Sequence, residues 1–154
     1  MTASPGVVDE LNRLRSRLPQ LTGALAASVD GLVLARDTPD AEAETVAALT
    51  AAALGVSVRL TEATGQGGFR ELLIRGERGY VATYAAGSAA VLTVTAEPRV
   101  NVGRLHLEAR RTGARIGELV DGALDRLDSS SGSSSNSLSG SNSNSNPPHT
   151  AQVR

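Results

Sequence analysis

Two short apolar runs between residues 21 and 36 meet at Asp30-Gly31, a dipeptide suited to a tight primed turn with positive φ. The spacing predicts a β-hairpin. Three further runs follow, residues 69–75, 80–85 and 89–95, separated by Gly76-Glu77-Arg78-Gly79 and Ala86-Gly87-Ser88. Connections this short join only antiparallel neighbours, so these runs predict a three-stranded meander.

Helical periods flank and divide the strands. Val8, Leu11, Leu14 and Leu18 recur at helical spacing ahead of Pro19, which leaves Arg13, Arg15 and Arg17 mostly to solvent. Asp37-Thr38-Pro39-Asp40 reads as a helix start: Thr38 to cap, Pro39 at the first helical position, Asp40 and Glu42 beside the positive helix end. That central helix is expected to reach about Thr64 and to stop at Gly65-Gln66-Gly67-Gly68. It carries two apolar rows. Val46, Leu49, Ala53, Val56 and Leu60 form one, and Ala47, Ala51, Leu54 and Val58 the other, where covering a sheet needs a single stripe. Asn101 is placed to cap a last helix over residues 101–127, with Leu105, Ala109, Thr112, Ile116, Leu119 and Leu127 near one stripe. Gly103, Gly113, Gly117 and Gly122 each weaken such a helix by about 1 kcal/mol relative to Ala, so they point to close packing on a sheet or partner. The order is helix, two strands, helix, three strands, helix, an α/β (α+β) domain.

Composition narrows the chemistry. A chain of 154 residues fits one domain, and 15 basic residues against 16 acidic ones give no field that would draw in a nucleic acid. Every basic residue is arginine, and lysine and cysteine are both absent. Schiff bases, a phosphate-loop lysine, a thiolate nucleophile, disulfides and cysteine-bound zinc are thereby excluded. The wealth of Ala, Gly and Arg suggests a GC-rich, bacterial coding sequence. Met1-Thr2-Ala3-Ser4-Pro5 lacks the pattern of a signal peptide, and the Ala-rich run over residues 46–58 falls short of the roughly 20 apolar residues of a membrane span. The cytoplasm, without membrane insertion, is the expected compartment. From Ser129 the chain turns to Ser, Asn and Gly, which cannot bury enough apolar surface to offset ordering. The expected division is a flexible start over residues 1–7, one domain over 8–128 and a disordered tail over 129–154.

Three segments in this order, Ser28-Val29-Asp30-Gly31-Leu32-Val33-Leu34-Ala35, Ala90-Val91-Leu92-Thr93-Val94 and Asn101-Val102-Gly103-Arg104-Leu105, resemble the bacterial branch of the roadblock/dynein light chain family. The resemblance covers residues 11–127 and omits the tail. It implies a five-stranded antiparallel sheet with a long central helix on one face and the terminal helices on the other. It further implies a homodimer joined through the central helix and the strand after it, which assigns Val46, Leu49, Ala53, Val56, Leu60 and Leu73 to the interface. Bacterial members regulate small Ras-like GTPases without nucleotide chemistry of their own, and in actinobacteria they often accompany a sensor-kinase-like protein and a GTPase.

No residue set forms a catalytic, cofactor or metal site. The two histidines, His106 and His149, lack a second histidine and carboxylate at ligand spacing, so His106 reads as a partly exposed helix residue. Glu42 and Glu44 point to different helix faces and cannot work as an acid–base pair. Gly65-x-Gly67-Gly68 follows a helix instead of leading into one, so it reads as a helix stop and not a phosphate cradle. Arg104, Arg110, Arg111 and Arg115 can form a docking patch for an acidic GTPase surface or a solvated face paired as Arg104–Glu108, Glu108–Arg111 and Arg115–Glu118, and such pairs are the commoner arrangement. Arg75 and Arg78, near a hairpin tip, are within reach of a bound nucleotide as arginine fingers, yet nothing sets them apart from surface arginines. The function expected is a non-enzymatic homodimeric adaptor for a Ras-like GTPase or a kinase-like partner. A small-ligand-sensing α/β module is the alternative, disfavoured by a chain whose aromatics are only Phe69, Tyr80 and Tyr84.

Overall fold

A computed structural model describes residues 4–38 and 40–132. The elements are α1 (Pro5–Arg17), β1 (Leu21–Ser28), β2 (Val33–Asp37), α2 (Asp40–Ala63), β3 (Glu71–Gly76), β4 (Gly79–Ala86), β5 (Ala90–Ala96) and α3 (Val102–Gly132). The order matches the one expected from periodicity. All five strands form a single antiparallel sheet in the order β2-β1-β5-β4-β3, so α2 carries the chain from one edge of the sheet to the other.

One face of the sheet is closed by α1 and α3. Val7, Leu11, Leu14 and Leu18 of the first segment meet Ala82, Tyr84, Leu92 and Val94 from the strands and Leu105, Ala109 and Ile116 from α3. The inward stripe of α1 therefore begins at Val7, with Val8 only partly buried. Helix begins at Pro5, inside the stretch expected to be flexible, because proline suits a first helical turn. The arginines of α1 face solvent for the most part, as expected, while pairing at their tips: Arg13 with Glu10 at 2.7 Å, Arg15 with Asp37 at 3.0 Å and Arg17 with Glu108 at 3.4 Å. Glu10 itself is buried, and its Oε2 has no hydrogen-bond partner among the described residues.

On α3, Asn101 caps as expected, its Oδ1 accepting from the Arg104 N–H at 2.9 Å. A Cβ on Gly117 would lie 2.4 Å from the Gly87 nitrogen and one on Gly113 would lie 3.0 Å from the Ala85 carbonyl oxygen. These two glycines let the helix lie against the β4–β5 end of the sheet. Gly103 and Gly122 meet only side-chain atoms at 3.4 and 3.7 Å, so close packing does not explain them. The helix continues to Gly132, past Leu127 and into the Ser-rich segment, where Ser129, Ser130 and Ser131 hydroxyls donate to backbone carbonyls of the preceding turn. The tail from residue 133 lies outside the described residues.

Two terminators behave differently from one another. At the end of α2, the Gly65 N–H donates to the Glu62 carbonyl (3.1 Å) and the Gln66 N–H to the Thr61 carbonyl (2.8 Å), with Gly65 at φ 70°. That is the Schellman stop expected of this glycine cluster. The first hairpin departs from the two-residue primed turn. Its loop is longer, closed by Gly31 N–H to Ser28 O (3.0 Å) and Ser28 N–H to Leu32 O (2.8 Å), with Gly31 at φ 97°. This is the bulged kind of hairpin loop, in which a residue of positive φ follows a turn. The Ser28 hydroxyl bonds both the Asp30 carboxylate and the Leu32 N–H, which favours the longer loop. At the start of α2 the cap expected of Thr38 is not seen: its hydroxyl is buried with no hydrogen-bond partner among the described residues. Pro39 lies outside the described residues.

Candidate self-association surface

The two apolar rows of α2 meet different fates. Among the described residues of the helix, Ala43, Ala47 and Thr50 are the buried ones, and all lie in its first half. Ala43 and Ala47 sit on Leu25, Ala27 and Val91, with Val33, Val46 and Leu54 packed around them. Gly31 belongs to the same contact, since a Cβ there would come within 3.3 Å of the Ala51 Cβ. A short polar chain completes it: the Thr93 hydroxyl shares hydrogen bonds with Thr50 of α2 at 3.2 Å and with Thr83 of β4 at 3.0 Å. From Ala51 to the end of the helix no residue is fully buried, so a helix of about 36 Å is seated chiefly by its first half, with Leu54 adding a partly buried contact.

The other row faces outward. Leu49, Val56 and Leu60 are 64%, 69% and 62% exposed, while Val46 and Ala53 are half-buried. At one edge of the sheet lies β3, paired among the described residues with β4 alone. Opposite residues in an antiparallel pair share a face. Leu72 lies opposite Thr83 and Ile74 opposite Val81, so both belong to the α2 side, and Ile74 is 48% exposed. Leu73 lies opposite Ala82 of the α1/α3 core and is 37% exposed. The structure thus puts Leu49, Val56 and Leu60 on one open stripe with Ala53 half-buried along it, whereas Val46 at its start packs against the sheet contact and Leu73 lies on an edge strand, facing the other way. Leu72 and Ile74 are the strand residues that share the face of α2. Their alternation was legible in the sequence once the strand was placed.

By length and composition, Glu42–Ala63 would suffice for a membrane span at a mean hydropathy of 1.3, which exceeds the expectation drawn from residues 46–58. In the fold, its Ala43 and Ala47 are built into the sheet contact described above.

On the opposite face, β3 meets α3 through charge. Arg110 donates from Nε to Glu71 Oε2 at 2.7 Å and from a second nitrogen to Oε1. His106 Nδ1 is 2.9 Å from the Tyr84 hydroxyl and 3.7 Å from Glu71. The Arg110 hydrogen bond, chiefly, holds the Glu71 carboxyl below its ordinary range. Burial pushes the Tyr84 phenol well above its usual value, and the Glu71 charge adds to that. This group was not visible in the sequence, because it joins β3, β4 and α3 across long stretches of chain. Among the described residues, no three His, Cys, Asp or Glu side chains are placed to hold a metal ion. The α3 arginines pair in part as expected. Arg111 is 3.8 Å from Glu108, but Arg104 donates to the Arg17 carbonyl (3.0 Å) and Arg115 approaches Glu10 (3.6 Å). Contacts to α1 thus replace the expected Arg104–Glu108 and Arg115–Glu118 pairs, because α1 lies alongside this face of α3. Between α3 and β3 runs an open groove of about 750 Å³, lined by Arg70, Glu71, Arg110, Gly117, Glu118 and Asp121 among others.

These features define a small α/β domain whose single antiparallel sheet carries a long, half-seated apolar helix on one face. The Roadblock/LC7 domain model matches residues 7–96, and the chain belongs to that family. An uncharacterized protein of Methanocaldococcus jannaschii is 32% identical over 111 residues, which span 71% of this chain and 90% of that protein. Among solved structures, the Roadblock/LC7 domain from Streptomyces avermitilis has a TM-score of 0.70 at 22% identity, covering 73% of this chain and 96% of that one. An MglB structure described with a tetrameric arrangement has a TM-score of 0.72 at 22% identity, covering 80% and 95%. The gliding protein MglB from Thermus thermophilus has a TM-score of 0.69 at 22% identity, covering 79% and 94%. At these identities the structural likeness speaks to the fold.

Proposed function

We propose that this chain is a homodimeric, non-enzymatic adaptor of the cytoplasm that binds a Ras-like small GTPase, or a kinase-like protein associated with one, and alters the GTPase's nucleotide cycle or location. The observation that carries the self-association is the outward row of α2, an apolar stripe larger than a monomer of this size has reason to expose, in a fold that also has β3 at an open sheet edge. The tetrameric arrangement of one MglB relative supports an assembly built from this fold. The GTPase partner rests on the family to which the chain belongs. Such an adaptor would speed hydrolysis by fixing the partner's own catalytic loop, without contributing a side chain.

Light scattering on the purified protein is expected to give twice the chain mass, and Leu49→Glu to halve it; a monomeric wild type contradicts the dimer. Mixing the dimer with a candidate Ras-like GTPase, while following complex formation and GTP hydrolysis, tests the partner. If no GTPase binds and a metabolite raises the melting temperature instead, a ligand-sensing role in the α3–β3 groove takes the adaptor's place.

A further inference from the structure

The outer face of α3 has its charges sorted by sign. On the side of the helix away from Leu105, Ala109 and Ile116, the row Arg104, Leu107, Arg111, Ala114, Glu118, Asp121, Asp125 and Asp128 advances in alternating steps of three and four residues, the spacing of a helix–helix seam. Every member is exposed except Asp121, which is half-buried. The arginines occupy the first half of the row and the acids the second. A helix favours the reverse, since its amino end is positive and its carboxyl end negative. No acid stands in the first turn of α3 and no base in the last. Asp121 and Asp125, four residues apart, add a like-charge pair. Among the described residues, the side chains of Glu118, Asp125 and Asp128 have no ion-pair partner, and the Asp121 carboxylate accepts only from Ser88. Arg111 reaches Glu108 only at 3.8 Å.

This row is complementary to its own reverse. Set antiparallel against a second copy, with the two-fold axis beside Ile116, it brings Arg104 opposite Asp128 and Arg111 opposite Asp121, each twice over. Leu107 then meets Asp125, and Ala114 meets Glu118. Other registers do worse. Sliding the helices one heptad one way leaves Arg104–Asp121 as the one opposite-charge layer, sliding them the other way sets Glu118 against Asp121, and parallel pairing sets each charge on its like. We infer that α3 is a second self-association surface, on which two copies pair antiparallel with Arg104 and Arg111 of each against Asp128 and Asp121 of the other. The contact lies on the layer of the sheet opposite α2, so it is independent of the dimer proposed above and, added to it, joins dimers into larger assemblies. Exposed charge pairs are weak and screened by salt, which makes this joining reversible.

Sedimentation velocity on the full chain reads it at about 0.01 M salt, where charges act over about 30 Å, and at about 1 M, where they act over about 3 Å. The wild type is expected to form species heavier than the dimer at low salt and to fall back to the dimer at high salt. In Leu49→Glu the same surface is expected to give a salt-sensitive pair, which separates failure of the α2 contact from failure of this one. Arg104→Glu with Arg111→Glu, or Asp121→Arg with Asp128→Arg, sets like charges opposite and is expected to raise the dissociation constant of the heavier species at least about tenfold. An equimolar mixture of these two double variants has opposite charges in both halves of the contact and is expected to recover the heavier species. Asp128→Arg alone suits the helix dipole, so its weakening of the heavier species is not a folding defect. A wild type without heavier species at low salt overturns the self-pairing and leaves the face to a partner of another kind. Heavier species that persist in either double variant, or that the mixture does not recover, overturn the antiparallel pairing of α3.

Discussion

The two faces of this sheet are held in different ways. Among the described residues, the face under α1 and α3 buries 19 apolar residues in one cluster, while the face under α2 buries five. The first has leucines and isoleucine inside it. The second sets Leu25 and Val91 of the sheet against alanines of α2 and a threonine relay, and it leaves Leu49 and Leu60 of the helix outside. On α2 the small residues face the sheet and the large ones face outward, onto the surface we propose a second copy covers. In the proposed dimer, folding belongs to one layer and assembly to the other.

Substitutions that sharpen this contrast fall in a clear order. Leu105, fully buried between α3 and the sheet, is expected to cost about 2–5 kcal/mol as Ala in urea denaturation. Leu60→Ala, the same truncation on the outer row of α2, is expected to cost under about 0.5 kcal/mol at dilutions where the protein is monomeric. Equal losses at the two sites would break the comparison. Gly117→Ala drives a methyl group into the Gly87 backbone and is expected to cost about 1–3 kcal/mol by the same measurement. Thr93→Val leaves the Thr50 and Thr83 hydroxyls without the atom that joins them, for a loss of about 1–2 kcal/mol that would show α2 to be anchored by polar contact.

The smallest effect is electrostatic. Glu71 has its folded-state pKa depressed below the ordinary 4.5, chiefly by Arg110, so its contribution is complete above that pH and disappears as pH falls through the folded-state value. Glu71→Gln is expected to reduce stability slightly at pH 7 and to match the wild type in acid; a difference that grows on acidification has the wrong sign for this pair.

Element order was legible in the sequence because period-2 and period-3.6 patterns are local. The Asn101 cap and the Gly65 stop were legible for the same reason: both act within a single turn of chain. Legibility failed where distant segments decide. The cap expected of Thr38 did not form, since its hydroxyl is buried by packing between α2 and β1 that a local pattern does not encode. The face of Leu73 depended on strand register, and the Glu71–Arg110 and Tyr84–His106 contacts on the path of α3 over β3 and β4. For α2, two apolar rows were visible in advance, but which of them faces the sheet was settled by Ala43 and Ala47, whose small side chains allow the helix to approach.

The central claim is that a second copy covers the β3 edge. Residue-resolved amide hydrogen exchange tests it most directly, because within one chain the N–H groups of Glu71, Leu73 and Arg75 have no partner strand while those of Leu72 and Ile74 bond to β4. At concentrations where the protein is dimeric, the account predicts protection of Leu73 comparable to that of Leu72, lost on dilution or in Leu49→Glu. Fast exchange at Leu73 beside slow exchange at Leu72, under those same dimeric conditions, would contradict it.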